Sequence, residues 1–414
     1  MKPIKRLALG TALSALAATA ALADNVKIAF IDPLSGSFAA TGVNGLHQFE
    51  FAADTLINDK GGVLGGDKFE IVGFDNKISP KESLIQLQVA IDQGIHYVVQ
   101  GNSSGVAHAL TDAIKKHNSR NPDDQVLFLN YSAVDPALTN KDCNYWHFRF
   151  DANADIKMDA ITNVIAQNDK VKKVYIIGQD YSFGKAVAAA AVKMLGEKRP
   201  DIEIVGNELH PIGKVKDFTP YARKIVSSGA DAVITGNWGS DMLGLGKAII
   251  ENGFKGPIYT YYGAADGITA AFGESGIGSL KLVSEGPNNP PESDAGRAYI
   301  EAFKAKFPDG NMSQPRITTT LQMLAKAIDE AGTATDVAKV AAKLEGMEFT
   351  NPLWQGPTKM RAEDHQLIQD VNVFGQENVE KPFDFDNSGY GMKVENTTVM
   401  AGNDIPTTCK MERP

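Results

Sequence analysis

Residues Tyr97–Gly105 read YVVQGNSSG. Four strand-forming residues run into a glycine and two serines, and Ser104–His117 then takes a helical pattern. A short buried strand that turns directly into a helix is the unit of a parallel α/β sheet. The unit repeats on either side. Val26–Ile31 and Phe69–Phe74 read as strands, with helices expected over Gly42–Asn58 and Pro80–Gln93, the second with Pro at its start. Val126–Leu129 is a fourth strand. After Phe150 the alternation restarts, with strands at Val174–Ile177, Ile202–Val205, Ala232–Thr235 and Pro257–Tyr261 and helices between them. Two consecutive blocks of one architecture predict an α/β protein of two doubly wound parallel-sheet lobes. The first lobe is expected over 24–144 plus about 284–353, the second over 145–283 plus about 354–398, with a tail over 399–414. The segment from Ser284 onward has no sheet large enough for its own core. It is therefore expected to be shared, with the chain crossing the hinge more than once.

Met1–Ala23 has the form of an export leader. Lys2, Lys5 and Arg6 precede an uncharged Ala/Leu-rich stretch ending in Ala21-Leu22-Ala23, so cleavage is expected after Ala23 and the protein in a periplasm. Three of the 41 basic residues lie in the leader, leaving 38 against 50 acidic ones, a net charge of −12. That balance, with no Lys/Arg run, argues against nucleic acid or an anionic membrane as partner. Of the two cysteines, Cys143 and Cys409, Cys143 has His147 four residues on but nothing else joins it as a ligand, and an oxidising compartment predicts that the cysteines pair. The seven histidines form no ligand set, so no metal or cofactor is expected.

Two motifs suggest chemistry. Gly101-Asn102-Ser103-Ser104-Gly105 fits G-x-S-x-G, the strand–turn–helix elbow of serine hydrolases, with Ser103 as nucleophile. No acid or histidine stands in a telling context. The alternative is a helix start whose hydroxyls and N–H groups receive an anion. Gly178–Lys185 (GQDYSFGK) is close to a phosphate-binding loop but has five residues between its glycines, and Ala186 where a magnesium-binding hydroxyl is needed.

A broader constellation lies at the strand C-termini, where open α/β sheets bind ligands. These ends carry Asn102, Ser103, Ser104 and Ser132 in the first lobe, and Tyr181, Phe183, Trp238, Tyr261 and Tyr262 in the second. Small hydroxyls facing aromatics suit a small organic ligand with an anionic end and an apolar body.

The same stretches resemble the branched-chain amino acid type substrate-binding proteins of ABC importers, of the type I periplasmic binding fold. The resemblance covers nearly the whole mature chain and is carried by Ile28–Gly42 (IAFIDPLSGSFAATG), Ile57–Gly66 (INDKGGVLGG), Phe74–Gln88 (FDNKISPKESLIQLQ), Asp180–Gly184 (DYSFG), Asp217–Ile225 (DFTPYARKI) and Ala230–Gly236 (ADAVITG). It implies a non-enzymatic, monomeric receptor that closes on a small ligand and delivers it to an ABC permease. In such relatives a hydroxyl at the position of Ser104 holds the carboxylate of an amino acid. Backbone at Ser132 and a hydroxyl at the position of Val134 complete the grip, with aromatics at Phe183 and near Trp238 and an acid near Tyr262 for the ammonium. Here valine stands at 134 and tyrosine at 262. Asp266 or Asp180 is then the candidate acid, and an amine-free, aromatic carboxylate is an equal candidate ligand. A ligand sensor docking to a signalling partner and a secreted hydrolase using Ser103 are the alternatives in function.

Overall fold

The computed structural model describes residues 25–354 and 356–414. The leader and its cleavage site lie outside the described residues. Among those described, no helix is long and apolar enough to cross a membrane.

The first sheet holds β1 (Asn25–Asp32), β2 (Lys68–Asp75), β3 (Tyr97–Gln100), β4 (Leu127–Asn130) and β5 (His147–Arg149) in the order β2-β1-β3-β4-β5, all parallel. β3, β4 and β5 are short and fully buried, with helices α1 (Ala39–Ala52), α2 (Pro80–Asp92) and α3 (Ser104–Arg120) packed on the sheet, while the edge strand β2 keeps exposed positions. Local signals set these helix starts. Ser79 caps α2 by accepting from the Glu82 N–H, with Pro80 in the first turn.

The second block has α4 (Ala154–Ala166), β6 (Lys173–Gln179), α5 (Ser182–Lys198), β7 (Glu203–His210), α6 (Thr219–Ser227), β8 (Ala232–Thr235), α7 (Gly239–Glu251), β9 (Ile258–Thr260), α8 (Ile268–Phe272) and β10 (Leu280–Ser284). The chain then passes through α9 (Asp294–Lys306), α10 (Arg316–Ala331), α11 (Val337–Leu344) and a three-stranded antiparallel sheet of β11 (Glu348–Thr350), β12 (Pro357–Met360) and β13 (Leu367–Gln369). Finally β14 (Val371–Asn378) and β15 (Tyr390–Thr398) join the second sheet, of order β15-β14-β10-β9-β8-β6-β7.

Two expected boundaries move. β5 belongs to the first sheet, so the first crossing follows it rather than falling at 145. The segment from 357 to 369 sides with the first lobe, because Met360 and Leu367 enter the first core. The second lobe resumes at β14, not at 354. β5 closes the edge beside β4, and Gln366 bridges to Arg149 of β5, contacts that a composition reading does not register.

The tail returns once more. Ile405 packs on the core of the second lobe and Met411 on that of the first. Cys409 is bonded to Cys143. Asn403 reaches the Gln369 carbonyl beside the last crossing, 2.9 Å away.

Candidate functional site

The strand ends of the two sheets face each other across one cavity. Of the residues singled out from the sequence, Asn102, Ser103, Ser104, Ser132, Val134, Tyr181, Phe183, Trp238, Tyr261, Tyr262 and Asp266 line it, and Asp180 does not. Its volume is about 60 Å³, on the scale where one water needs about 10–15 Å³. That is space for about four to six waters, the scale of a small organic ligand.

The first lobe supplies hydrogen-bond donors. β3 ends at Gln100, and Gly101 turns the chain. A Cβ at Gly101 would stand 2.7 Å from both the Ser132 Cβ and the Tyr131 ring, so only glycine passes here. Ser103 then sits at φ +82°, a left-handed conformation rare outside glycine, and its hydroxyl makes no capping bond. Strain of this kind persists where the surroundings impose it, commonly at a ligand site. It leaves the hydroxyls of Ser103 and Ser104 and the free N–H groups of the 17-residue α3 at the cavity. Such an end favours an anion. Ser104 Oγ is fixed by the Asp135 N–H at 3.2 Å.

Asp32 holds this turn from below, and the sequence reading missed it. Its carboxylate accepts from the Gly101 N–H (3.1 Å), the Asn102 N–H (3.0 Å) and the Tyr131 hydroxyl (2.5 Å). Burial pushes its carboxyl up to about 7 against the pull of those donors. Asp32→Ala is expected to cost about 2–4 kcal/mol by leaving buried donors unpaired, whereas Asp32→Asn keeps an acceptor and loses less. Denaturant unfolding of the two variants measures the difference.

The second lobe supplies the aromatic wall. Trp238 Nε1 donates to the Tyr181 hydroxyl at 2.9 Å. Phe183 meets Tyr261 and Tyr262 edge-on, with centroids 5.4 and 6.0 Å apart. Phe38 of the first lobe lies 4.3 Å from the Trp238 ring, so aromatic contact also joins the lobes. Val134 is buried among the second lobe's apolar residues and has no polar side-chain group, and its carbonyl accepts from the Ala154 N–H at the first crossing.

Of the two candidate acids, only Asp266 reaches the cavity. Asp180 is exposed and pairs with Lys185 at 3.2 Å. Asp266 sits in a left-handed turn (φ +54°) before α8. It accepts from Thr41 Oγ1 of the first lobe at 2.5 Å. Enclosure between the lobes pushes its carboxyl up to about 6, with Asp386 adding to the rise and the Thr41 bond opposing it.

A group of buried charges under the cavity was not visible in the sequence. Arg316, at the start of α10, donates to the Tyr131 carbonyl (2.5 Å), Ser132 Oγ (2.8 Å) and Glu285 Oε1 (2.7 Å). It also lies 3.5 Å from Asp151, which pairs with Lys157 at 2.7 Å. Arg316, Lys157, Asp151 and Glu285 are all almost fully buried and balance in charge. Lys157 lies between Asp155 and Asp159 on α4, and α10 carries Lys326, Asp329 and Glu330 besides Arg316, so no local pattern marks the buried charges.

The two motifs find structural explanations. No histidine is among the residues that line the cavity, so Ser103 has no histidine base there. Gly184 lies so close to β6 that a Cβ would stand 1.9 Å from the Gln179 carbonyl oxygen, which accounts for that glycine by helix–strand packing.

Comparison with known proteins now bears on this geometry. Residues 25–379 match the family described as periplasmic binding protein. The chain belongs to the periplasmic binding protein family. The binding protein is 32% identical over 384 residues to Leu/Ile/Val-binding protein homolog 4 of Brucella melitensis, covering 87% of each chain. Its fold matches the closed form of a leucine-, isoleucine-, valine-, threonine- and alanine-binding protein of Brucella ovis, with TM-score 0.80 and 29% identity over 95% of this chain and 100% of that one. A Rhodopseudomonas palustris solute-binding protein in complex with 4-hydroxybenzoate shares the fold at TM-score 0.77 and 21% identity, over 91% and 98% of the two chains. The binding protein therefore has the type I periplasmic binding fold.

Ser104→Ala is expected to weaken ligand binding by about 1–3 kcal/mol, because a carboxylate would lose one hydroxyl donor. An unchanged dissociation constant in calorimetric titration would remove the Ser104 hydroxyl from the ligand's contacts and leave Ser103 and the α3 N–H groups on that turn.

Proposed function

We propose that this protein captures a small α-amino acid with an apolar side chain in the periplasm and hands it to an ABC permease. It acts as a monomer and catalyses no reaction. The observation that carries the amino-acid reading is Asp266, an acid facing a cavity whose other end is lined by donors. In this reading the carboxylate is held by Ser103, Ser104 and the start of α3. The ammonium pairs with Asp266, and the side chain lies against Phe183, Trp238 and Tyr181. A ligand that touches both lobes only when they are shut shifts the population toward the closed form. The closed form then presents a surface the permease can distinguish.

The aromatic wall supports a second reading, a benzoate-like acid without an amine. Thermal unfolding of protein refolded free of ligand separates the two. An aliphatic amino acid at 100 times its dissociation constant should add about 2.7 kcal/mol of stability. Stabilisation by aromatic carboxylates alone would displace the amino-acid reading. Stabilisation by neither class would count against solute capture at this cavity.

A further inference from the structure

Tyr262 stands where the family resemblance expects an acid, and its hydroxyl is already engaged. It donates to the Ser132 carbonyl of the opposite lobe at 2.9 Å and lies 3.1 Å from Asp151 Oδ2 at the first crossing. Lys157 Nζ sits 4.8 Å from the centroid of its ring and holds Asp151 from the other side. Arg316 binds Ser132 Oγ and Glu285, which follows β10 at the second crossing. Both lobes and two crossings thus meet in one buried network around a phenol.

We infer that Tyr262 is a closure clasp: a contact between the lobes that forms without ligand and fills the place of an ammonium-binding acid. A tyrosine hydroxyl has one proton to donate, and the Ser132 carbonyl is on the other lobe, so the bond cannot survive separation of the lobes. Asp151 at the crossing is the hydroxyl's other acceptor, so what favours the closed form is the gain of having the Ser132 carbonyl as well. In an enclosed network such a bond is stronger than its exposed counterpart. The ligand-free protein accordingly samples the closed state, and every ligand binds a receptor already biased toward closure. Tyr262 is a positioning residue for closure. It sets overall affinity, while Asp266 and the α3 turn set the chemistry of the ligand. The inference builds on capture by closure but not on any ligand's identity.

The test is Tyr262→Phe, which removes one oxygen and keeps the ring. Small-angle scattering of the ligand-free protein should give a larger radius of gyration than wild type. Dissociation constants should rise about five- to tenfold for every ligand that stabilises wild type, with faster dissociation. A radius unchanged from wild type overturns the clasp, whatever happens to affinity. A loss confined to one chemical class of ligand also overturns it, because the hydroxyl is then a ligand contact. Because the scattering measurement needs no ligand, failure of the clasp and failure of the amino-acid reading are read separately. Tyr262→Gln, which restores a donor of shorter reach, should fall between wild type and the phenylalanine variant in radius.

Discussion

Replacing Arg316 by methionine is expected to lower the unfolding free energy by about 3–5 kcal/mol at neutral pH. The methionine fills most of the volume, so the loss reports the charge. Asp151 keeps Lys157 at 2.7 Å, but Glu285 loses the guanidinium at 2.7 Å and is left buried without a cation against it. Burial alone would push the Glu285 carboxyl up, yet Arg316 and Lys157 hold it at about 2. Because that value lies below the ordinary 4.5, the pairing stabilises the protein fully above about pH 5 and fades only as pH falls toward 2. In the variant, burial acts with less opposition and the carboxyl rises. The gap between the two proteins should thus be widest at pH 7 and narrow as acid protonates Glu285 in the variant. Urea unfolding at pH 7 and at pH 4.5 reads this directly. Arg316→Met with Glu285→Gln should recover more than half of the loss. A deficit under about 1 kcal/mol at pH 7 would mean that water reaches the cluster.

Asp266→Asn should weaken the binding of an α-amino acid by about 2–5 kcal/mol, at least about thirtyfold. The substitution keeps the shape and the Thr41 contact but removes the charge that would pair with an ammonium. The wild-type carboxyl, raised to about 6, must be ionised to bind that cation. Amino-acid affinity should therefore fall about tenfold between pH 7 and pH 5 in wild type and stay flat in the variant. The sign for the empty protein is opposite. A folded-state pKa above the ordinary 3.8 means that ionisation costs stability as pH rises through about 4 to 6. The asparagine variant lacks this cost and should be the more stable ligand-free protein at pH 7. Calorimetric titration across this range is the measurement. Undiminished amino-acid binding in the variant would remove Asp266 from the site, and a carboxylate that binds better without it would favour an amine-free ligand.

Much of the fold was legible because its signals are local. The apolar run Val26–Ile31 lies within β1, and the Ser79–Pro80 start of α2 follows from capping and a fixed φ, both properties of a few adjacent residues. The candidate site was legible for a related reason. In a parallel sheet every strand points its C-terminus the same way, so the residues after each strand converge without knowledge of their distances. Asn102, Ser132, Tyr181, Trp238 and Tyr262 line one cavity on that account.

The sequence by itself determined the strand–helix alternation, the two-lobed architecture and the loops that meet at the cleft, since these depend on periodicity and turn chemistry over a few residues. Only the tertiary structure decided which charges matter. Asp32, Asp151, Lys157, Glu285 and Arg316 read as unremarkable polar residues in the chain, because the cost of burying a charge, and the partner that offsets it, depend on segments brought together from as far as 185 positions away (Tyr131 and Arg316). That Asp266 rather than Asp180 faces the cavity, and that the Tyr262 hydroxyl is engaged, depend in the same way on which side chains the packing of two lobes turns inward.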